Sequence, residues 1–286
     1  EQSEFFYTCS ITNISSAIFD VPFTVVPRWT TLDGTNVFGI EREIAVNDNN
    51  NKRWTTEKLG ANGLGGSKLL QLATEKDADQ MMSYVIEAYN PDDQTNPYVI
   101  VIDGGNTKDA AYLSWLLTTK YDGHVDAWFI THAHGDHYGA LLEMLNDNQI
   151  GDGEQQISID KLYYNFPDNI THSEGTQNFI NAGSNNSHMK DKVSEQEMGT
   201  TYTYGRVDIK ILSDCDEYYG VLYPENAAGD QNNASIVMLA EFDDGINSTE
   251  NTEVLFLGDM GRGGETYLMK QINECNVDLT GVAVQM

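Results

Sequence analysis

Apolar and polar positions alternate through the first part of the chain. VPFTVVPRWTTLDGTNVFGIEREIAV (residues 21–46) carries two such runs around Asp33-Gly34, a dipeptide suited to a tight turn, and predicts a β hairpin. NDNNNK, from Asn47 to Lys52, has the composition of a linker. From about Ser67 the pattern changes. KLLQLAT and MMSYVIEAY predict two strands around a loop at residues 75–79, and YVIVIDGG predicts a third, apolar on both faces and therefore buried. KDAAYLSWLLTTKY predicts a helix with Tyr112, Trp115, Leu116 and Thr119 on its inner face. VDAWFIT is again a strand, and the short helix after it turns Leu141, Leu142 and Leu145 inward. KLYYNF, a polar helical stretch over about 171–198, and the strands VDIKIL, SIVMLAEF and EVLFLGD follow. A helix GGETYLMKQINEC, with Leu268, Ile272 and Cys275 inward, leads to a last strand, GVAVQM. Interleaved strands and helices with adjacent strand pairs predict a layered α/β fold with mixed sheets.

Composition narrows the functions. The 286 residues carry a formal net charge of -28, from 44 acidic against 16 basic side chains. Such a surface repels phosphate backbones and disfavours generic nucleic-acid binding. No apolar run reaches the length of about eighteen residues that would span a membrane. Cys9, Cys215 and Cys275 fit no CxxC spacing, which excludes a cysteine zinc cluster and gives no disulfide framework. The chain opens on Glu1, Gln2 and Ser3 without an initiator Met or signal peptide and is expected to be part of something longer. Asn- and Asp-rich loops with few lysines fit an exported bacterial protein, extracellular or at the cell surface.

Chemistry concentrates in FITHAHGDHYGALLEML, where His132, His134 and His137 are three of only six histidines. His132 and His134 stand two apart at the end of a strand, so their imidazoles leave on one side and can share a cation. Gly135 would let the backbone turn sharply and aim Asp136 and His137 at a second cation about 3.5–4 Å away. Imidazole and carboxylate ligands without thiolate suit zinc, manganese or iron.

THAHGDHYG resembles the HxHxDH signature of the metallo-β-lactamase superfamily of metal-dependent hydrolases. IDGG resembles that family's Asp-Gly element, and VLFLGDMG the later strand whose aspartate, here Asp259, bridges both metals. The resemblance covers roughly residues 67–286 and implies a four-layer αβ/βα sandwich with mixed sheets. Within the superfamily the look is closest to ComEC-like, competence-type hydrolase domains, through LQLATEKDADQMMSYVIEA, MGTTYTYGRVDIKILSD and NNASIVMLAEF. It implies that His132 and His134 bind one metal, that Asp136 and His137 bind another, and that Asp259 bridges two divalent ions, zinc first, with manganese or iron as alternatives. The cations would bring a bridging water close to ionisation at neutral pH, supplying a hydroxide nucleophile, and Asp136 could accept its proton. Asp103 would orient the site without binding metal; the alternative is a turn carboxylate capping the helix after DGGNT.

The match has two gaps. The histidine common before SIVMLAEF is missing from GDQNNAS, so Asn232 or Asn233 is expected to approach the metal or hold a water. His172 and His188 are the other downstream candidates. The family's last ligand, a histidine closing the second metal site, would lie just beyond Met286, which would leave that site incomplete in this chain. Residues 1–47 resemble the tail of an immunoglobulin-like module, or form a β extension packed on the main domain; 48–66 would link them to the hydrolase-like domain at 67–286. Two functions stay open: a hydrolase acting on a small or surface-attached phosphodiester or related ester, and a non-catalytic binding or structural module that keeps the fold.

Overall fold

The computed structural model describes residues 66–72, 81–93, 95–167, 172–214, 231–243 and 251–275, and the backbone of strands at 23–25, 28–30, 36–38, 42–46, 52–57 and 283–285. The predicted loop at 75–79 and the side chain of Cys275 lie outside the described residues.

Two mixed sheets form the centre. The first has nine strands: β1 (Phe23–Val25), β4 (Arg42–Val46), β5 (Lys52–Glu57), β6 (Lys68–Gln71), β7 (Tyr84–Ala88), β8 (Tyr98–Ile102), β10 (Ala127–Phe129), β12 (Leu162–Tyr163) and β13 (Val193–Ser194), in that spatial order. Pairing is antiparallel from β1 to β8 and parallel from β8 to β13. The second sheet orders β14 (Thr201–Tyr204), β15 (Val207–Ser213), β16 (Val237–Phe242), β17 (Thr252–Phe256) and β18 (Ala283–Gln285). It is antiparallel except for the parallel β17–β18 pair. Two further ribbons pair β2 (Arg28–Thr30) with β3 (Asn36–Phe38), and β9 (His124–Val125) with β11 (Ser158–Ile159). β5 falls within the 48–66 stretch and pairs with β6, so backbone hydrogen bonding runs from the N-terminal β segment into the main sheet.

Alternation along single strands sets the layers, because successive side chains leave opposite faces. On β8, Val99 and Val101 enter a core under the helices, while Ile100 and Ile102 enter the core between the sheets. On β16, Met238 and Ala240 face that middle core, while Val237 and Leu239 face an outer core. Helices α1 (Ala110–Lys120), α2 (Gly135–Asn146) and α3 (Glu174–Asn185) cover the first sheet, and α4 (Arg262–Cys275) covers the second through Leu268 and Ile272. The result is the four-layer αβ/βα order that the resemblance implied.

The inner face of α1 differs from expectation. Tyr112, Leu113, Leu116 and Leu117 are buried, Trp115 is half-buried and Thr119 is exposed. Thr119 donates instead to the Trp115 carbonyl (2.7 Å), as a threonine on a solvent face can. Phe129 anchors the middle core one strand-end before the histidines, stacked on Tyr163 at 4.8 Å and edge-on to Tyr202 at 5.6 Å. Phe129→Ala is expected to cost about 3–5 kcal/mol of stability, read as a loss of denaturant midpoint at unchanged m-value.

Candidate metal centre

The site lies where β8, β10 and β17 end. β8 and β10 are parallel neighbours with Ile102 opposite Phe129, so Asp103 and the histidine segment leave the sheet side by side. The chain leaves β8 through Asp103, whose φ of 56° is unusual for a residue with a Cβ and costs about 1–3 kcal/mol. Its contacts offset that strain. Asp103 accepts the Thr131 N–H (2.8 Å) and the Thr131 hydroxyl (2.9 Å to Oδ2), and meets His137 Nδ1 at 2.8 Å. Capping of the downstream helix falls to other residues, since Asn106 N–H donates to Asp109 at 3.0 Å. Asp103 is 1% exposed and faces the histidines.

The turn between His134 and Asp136 is made differently from expectation. Gly135 is the first residue of α2 and is not in the left-handed region; the extended His134 (φ −111°, ψ 147°) makes the corner. A Cβ on Gly135 would meet nothing within 4 Å, whereas one on Gly139 would lie 2.6 Å from the Thr107 backbone nitrogen. Gly135→Ala should therefore change stability by no more than about 1 kcal/mol. Gly139→Ala should push α2 off the turn after Asp103 and cost about 1–3 kcal/mol, with weaker metal binding. Thermal melts and zinc titrations of the two variants check the contrast.

Asp259 arrives through Gly258, at φ 57°, where a Cβ would stand 2.9 Å from both Ser235 Oγ and Thr131 Oγ1. Only glycine lets this turn approach so closely. The ligand atoms of His132, His137 and Asp259 then lie within 4.8 Å of one another. His137 Nε2 is 3.4 Å from Asp259 and 3.9 Å from Asp136 Oδ2. His134 joins through its Nδ1, 3.0 Å from His132 Nε2. Asp136 stands in the first turn of α2, its side chain 26% exposed, as is that of Asp259.

Hydrogen bonds behind the histidines fix which nitrogen faces inward. With the Thr131 hydroxyl donating to Asp103, its oxygen accepts from His132 Nδ1 (3.1 Å), which leaves His132 Nε2 its lone pair. Asp103 takes His137 Nδ1–H in the same way, and the fully buried His137 Nε2 has no hydrogen-bond partner. Thr131 escaped the sequence reading. Its signal was position: a threonine at the end of a buried strand, directly before the first histidine.

Charge follows the geometry. Burial holds His132 well below the usual imidazole range, His137 and His134 add to this, and a hydrogen bond with Asn232 opposes it. For His137, burial alone would lower the pKa, but the Asp103 and Asp259 carboxylates raise it to about 10. Contact with His137 in turn holds the Asp259 carboxyl below its ordinary range, against burial. Burial, with Asp103 and Asp259 adding, pushes the nearby Tyr84 hydroxyl up to about 12.

The two asparagines separate. Asn232 turns to His132, while Asn233 Oδ1 accepts the Gly264 N–H (3.0 Å) and caps α4. His188 lies elsewhere, with Nε2 accepting from the Ile159 N–H (3.1 Å) and Nδ1 2.9 Å from Asp152. His172 sits beside Phe166, ring centroids 6.2 Å apart.

The buried Nε2 of His137, converging with a second imidazole and a carboxylate, fits a divalent cation, and the N/O donor set without thiolate suits zinc, manganese or iron.

Residues 79–199 match the family model described as the metallo-beta-lactamase superfamily. That span holds Asp103 and the histidine motif and ends before Asp259. No curated protein matches the chain. Among solved structures, the metallo-beta-lactamase fold protein YhfI of Bacillus subtilis is 16% identical, covering 64% of this chain and 57% of its own, at a TM-score of 0.34. A metallo-beta-lactamase of Cronobacter sakazakii is 8% identical over 78% of this chain and 72% of its own, at 0.38. A flavo di-iron protein variant of Thermotoga maritima is 12% identical over 72% and 41%, at 0.39. The chain thus spans less than two thirds of the length of the Bacillus subtilis protein. The match to the metallo-beta-lactamase superfamily thus spans residues 79–199, less than half of the chain, within an α/β fold with mixed sheets.

Proposed function

We propose that this chain is a metal-dependent hydrolase with a two-cation centre, ComEC-like in type, acting on a phosphodiester or related ester at the bacterial cell surface or outside it. The observation that carries the reading is the convergence of His132, His137 and Asp259 within 4.8 Å, with His134 beside them and the inward nitrogens of His132 and His137 set by bonds behind them.

In this reading His132 and His134 would hold one cation and Asp136 and His137 the other, with Asp259 shared between them. When bound, the cations supply Lewis acidity and lower the pKa of water to near neutrality. The chain's own residues do the rest. Asp103 and Thr131 keep the Nε2 atoms of His132 and His137 turned inward, and Asn232 steadies His132 where superfamily members commonly have a further histidine. Asp136, with its side chain partly exposed, would act as the proton acceptor. The net charge of -28 favours a small or surface-attached ester over long nucleic acid. No described helix is long and apolar enough to cross a membrane.

The test is hydrolysis of bis-nitrophenyl phosphate with added zinc or manganese, before and after chelation. Turnover that needs the metal and disappears in His132→Ala supports the reading. Turnover that survives His132→Ala overturns the site assignment. Absence of both turnover and metal uptake favours the non-catalytic module.

A further inference from the structure

We infer that His124, Asp126 and Asp160 form a second, separate cation site, suited to zinc or a similar divalent ion, at the opposite end of β10 from the metal centre. Their ligand atoms lie within 4.8 Å of one another. Each is fixed by backbone bonds or a side-chain anchor. His124 pairs in register with Ser158, and its Nδ1 lies 3.0 Å from the Ser158 hydroxyl. Asp126 accepts the Val99 N–H on Oδ2 (2.7 Å), while its own N–H donates to the Val99 carbonyl (2.9 Å). Asp160 N–H donates to the Val125 carbonyl (2.9 Å). The Asp126 Oδ1, the Asp160 Oδ2 and the His124 Nε2 are left to meet each other.

The spacing points to an ion between them. His124 Nε2 stands 3.5 Å from Asp126 Oδ1 and 3.5 Å from Asp160 Oδ2. A charge-assisted hydrogen bond would draw such pairs to about 2.7–2.9 Å. Ligands at about 2.0–2.2 Å around a tetrahedral zinc are separated by roughly 3.4 Å, close to what is seen. The principal centre shows the same spacing, 3.4 Å between His137 Nε2 and Asp259. With His124 Nδ1–H donating to Ser158, the lone pair of Nε2 faces two carboxylates, an arrangement that orients a metal-binding imidazole. Among the described residues, His124 is the only ion-pair partner of either aspartate. Burial raises the Asp126 carboxyl above its ordinary range; the Val99 N–H and His124 oppose this, and Asp160 adds to it. A cation here would tie the β9–β11 ribbon to the edge of the main sheet, with water completing its coordination.

Zinc chloride alone, titrated calorimetrically into the full chain, tests the inference. His124→Gln and Asp160→Asn should each bind one equivalent fewer than the unmodified chain, or bind it at least about tenfold more weakly, with hydrolysis unchanged. The Asp160 side chain is 55% exposed, so Asp160→Asn should fold normally, as an unchanged melting temperature without zinc would show. His132→Ala should retain at least one equivalent. Unchanged stoichiometry and affinity in both Asp160→Asn and His124→Gln would overturn the site. So would loss of all zinc binding in His132→Ala, an outcome that leaves the principal centre standing.

Discussion

His132→Ala is expected to lower metal-dependent hydrolysis by roughly 10²–10³-fold or more and to weaken zinc binding at the principal centre in parallel. The residue is 1% exposed and neutral in its surroundings, and its Nε2 points at His134 while Thr131 holds its other nitrogen. A neutral, oriented, buried imidazole is ready to bind a cation without first losing a proton. Alanine removes the ligand and opens a polar hole that water can fill but that cannot hold a cation as tightly. Steady-state kinetics with zinc titration read the effect, and a loss of kcat without loss of metal would show that the histidine has a different role.

Asp103→Asn should have the second-largest effect, through His137. The carboxylate is buried against His137 Nδ1 at 2.8 Å and accepts two bonds from Thr131. Neutralising it leaves a buried imidazole facing an amide and removes what orients both inward nitrogens. Metal affinity should fall about 10–100-fold, and the metal-free protein should lose about 3–5 kcal/mol at neutral pH, where the pair is charged. The sign with pH follows from His137. Its pKa of about 10 in the folded chain lies above the ordinary imidazole value near 6.5. Its stabilisation is therefore complete below about pH 6.5 and disappears as pH rises through about 10. Urea unfolding of the metal-free protein across that window should show the decline in the parent chain and a flatter curve in Asp103→Asn. Because a ligand histidine must give up its proton, zinc affinity should rise with pH over the same range.

Much of the layering was legible in the sequence because it follows from apolar period. The unbroken β-branched run Val99–Ile102 fits a strand buried on both faces, and the alternation through residues 237–242 divides two cores. The histidine cluster was legible because four liganding residues stand within six positions of a histidine-poor chain. What the sequence did not display were bonds between distant segments. Thr131 gains its place only when β8 brings Asp103 alongside, and the different duties of Asn232 and Asn233 depend on where α4 begins. On α1 the buried stripe runs through Leu113 and Leu117 in place of Trp115 and Thr119, and the exposed Thr119 hydroxyl bonds to its own helix. Gly135 suggested a sharp turn at the glycine itself, but an extended His134 makes the corner with ordinary dihedrals.

Anomalous diffraction at the zinc edge from zinc-loaded crystals tests the central claim most directly. Two peaks about 3.5–4 Å apart, one bonded to His132 and His134, the other to Asp136 and His137, with Asp259 reaching both, is the predicted result. Absence of any peak among these five side chains at saturating zinc would contradict the account.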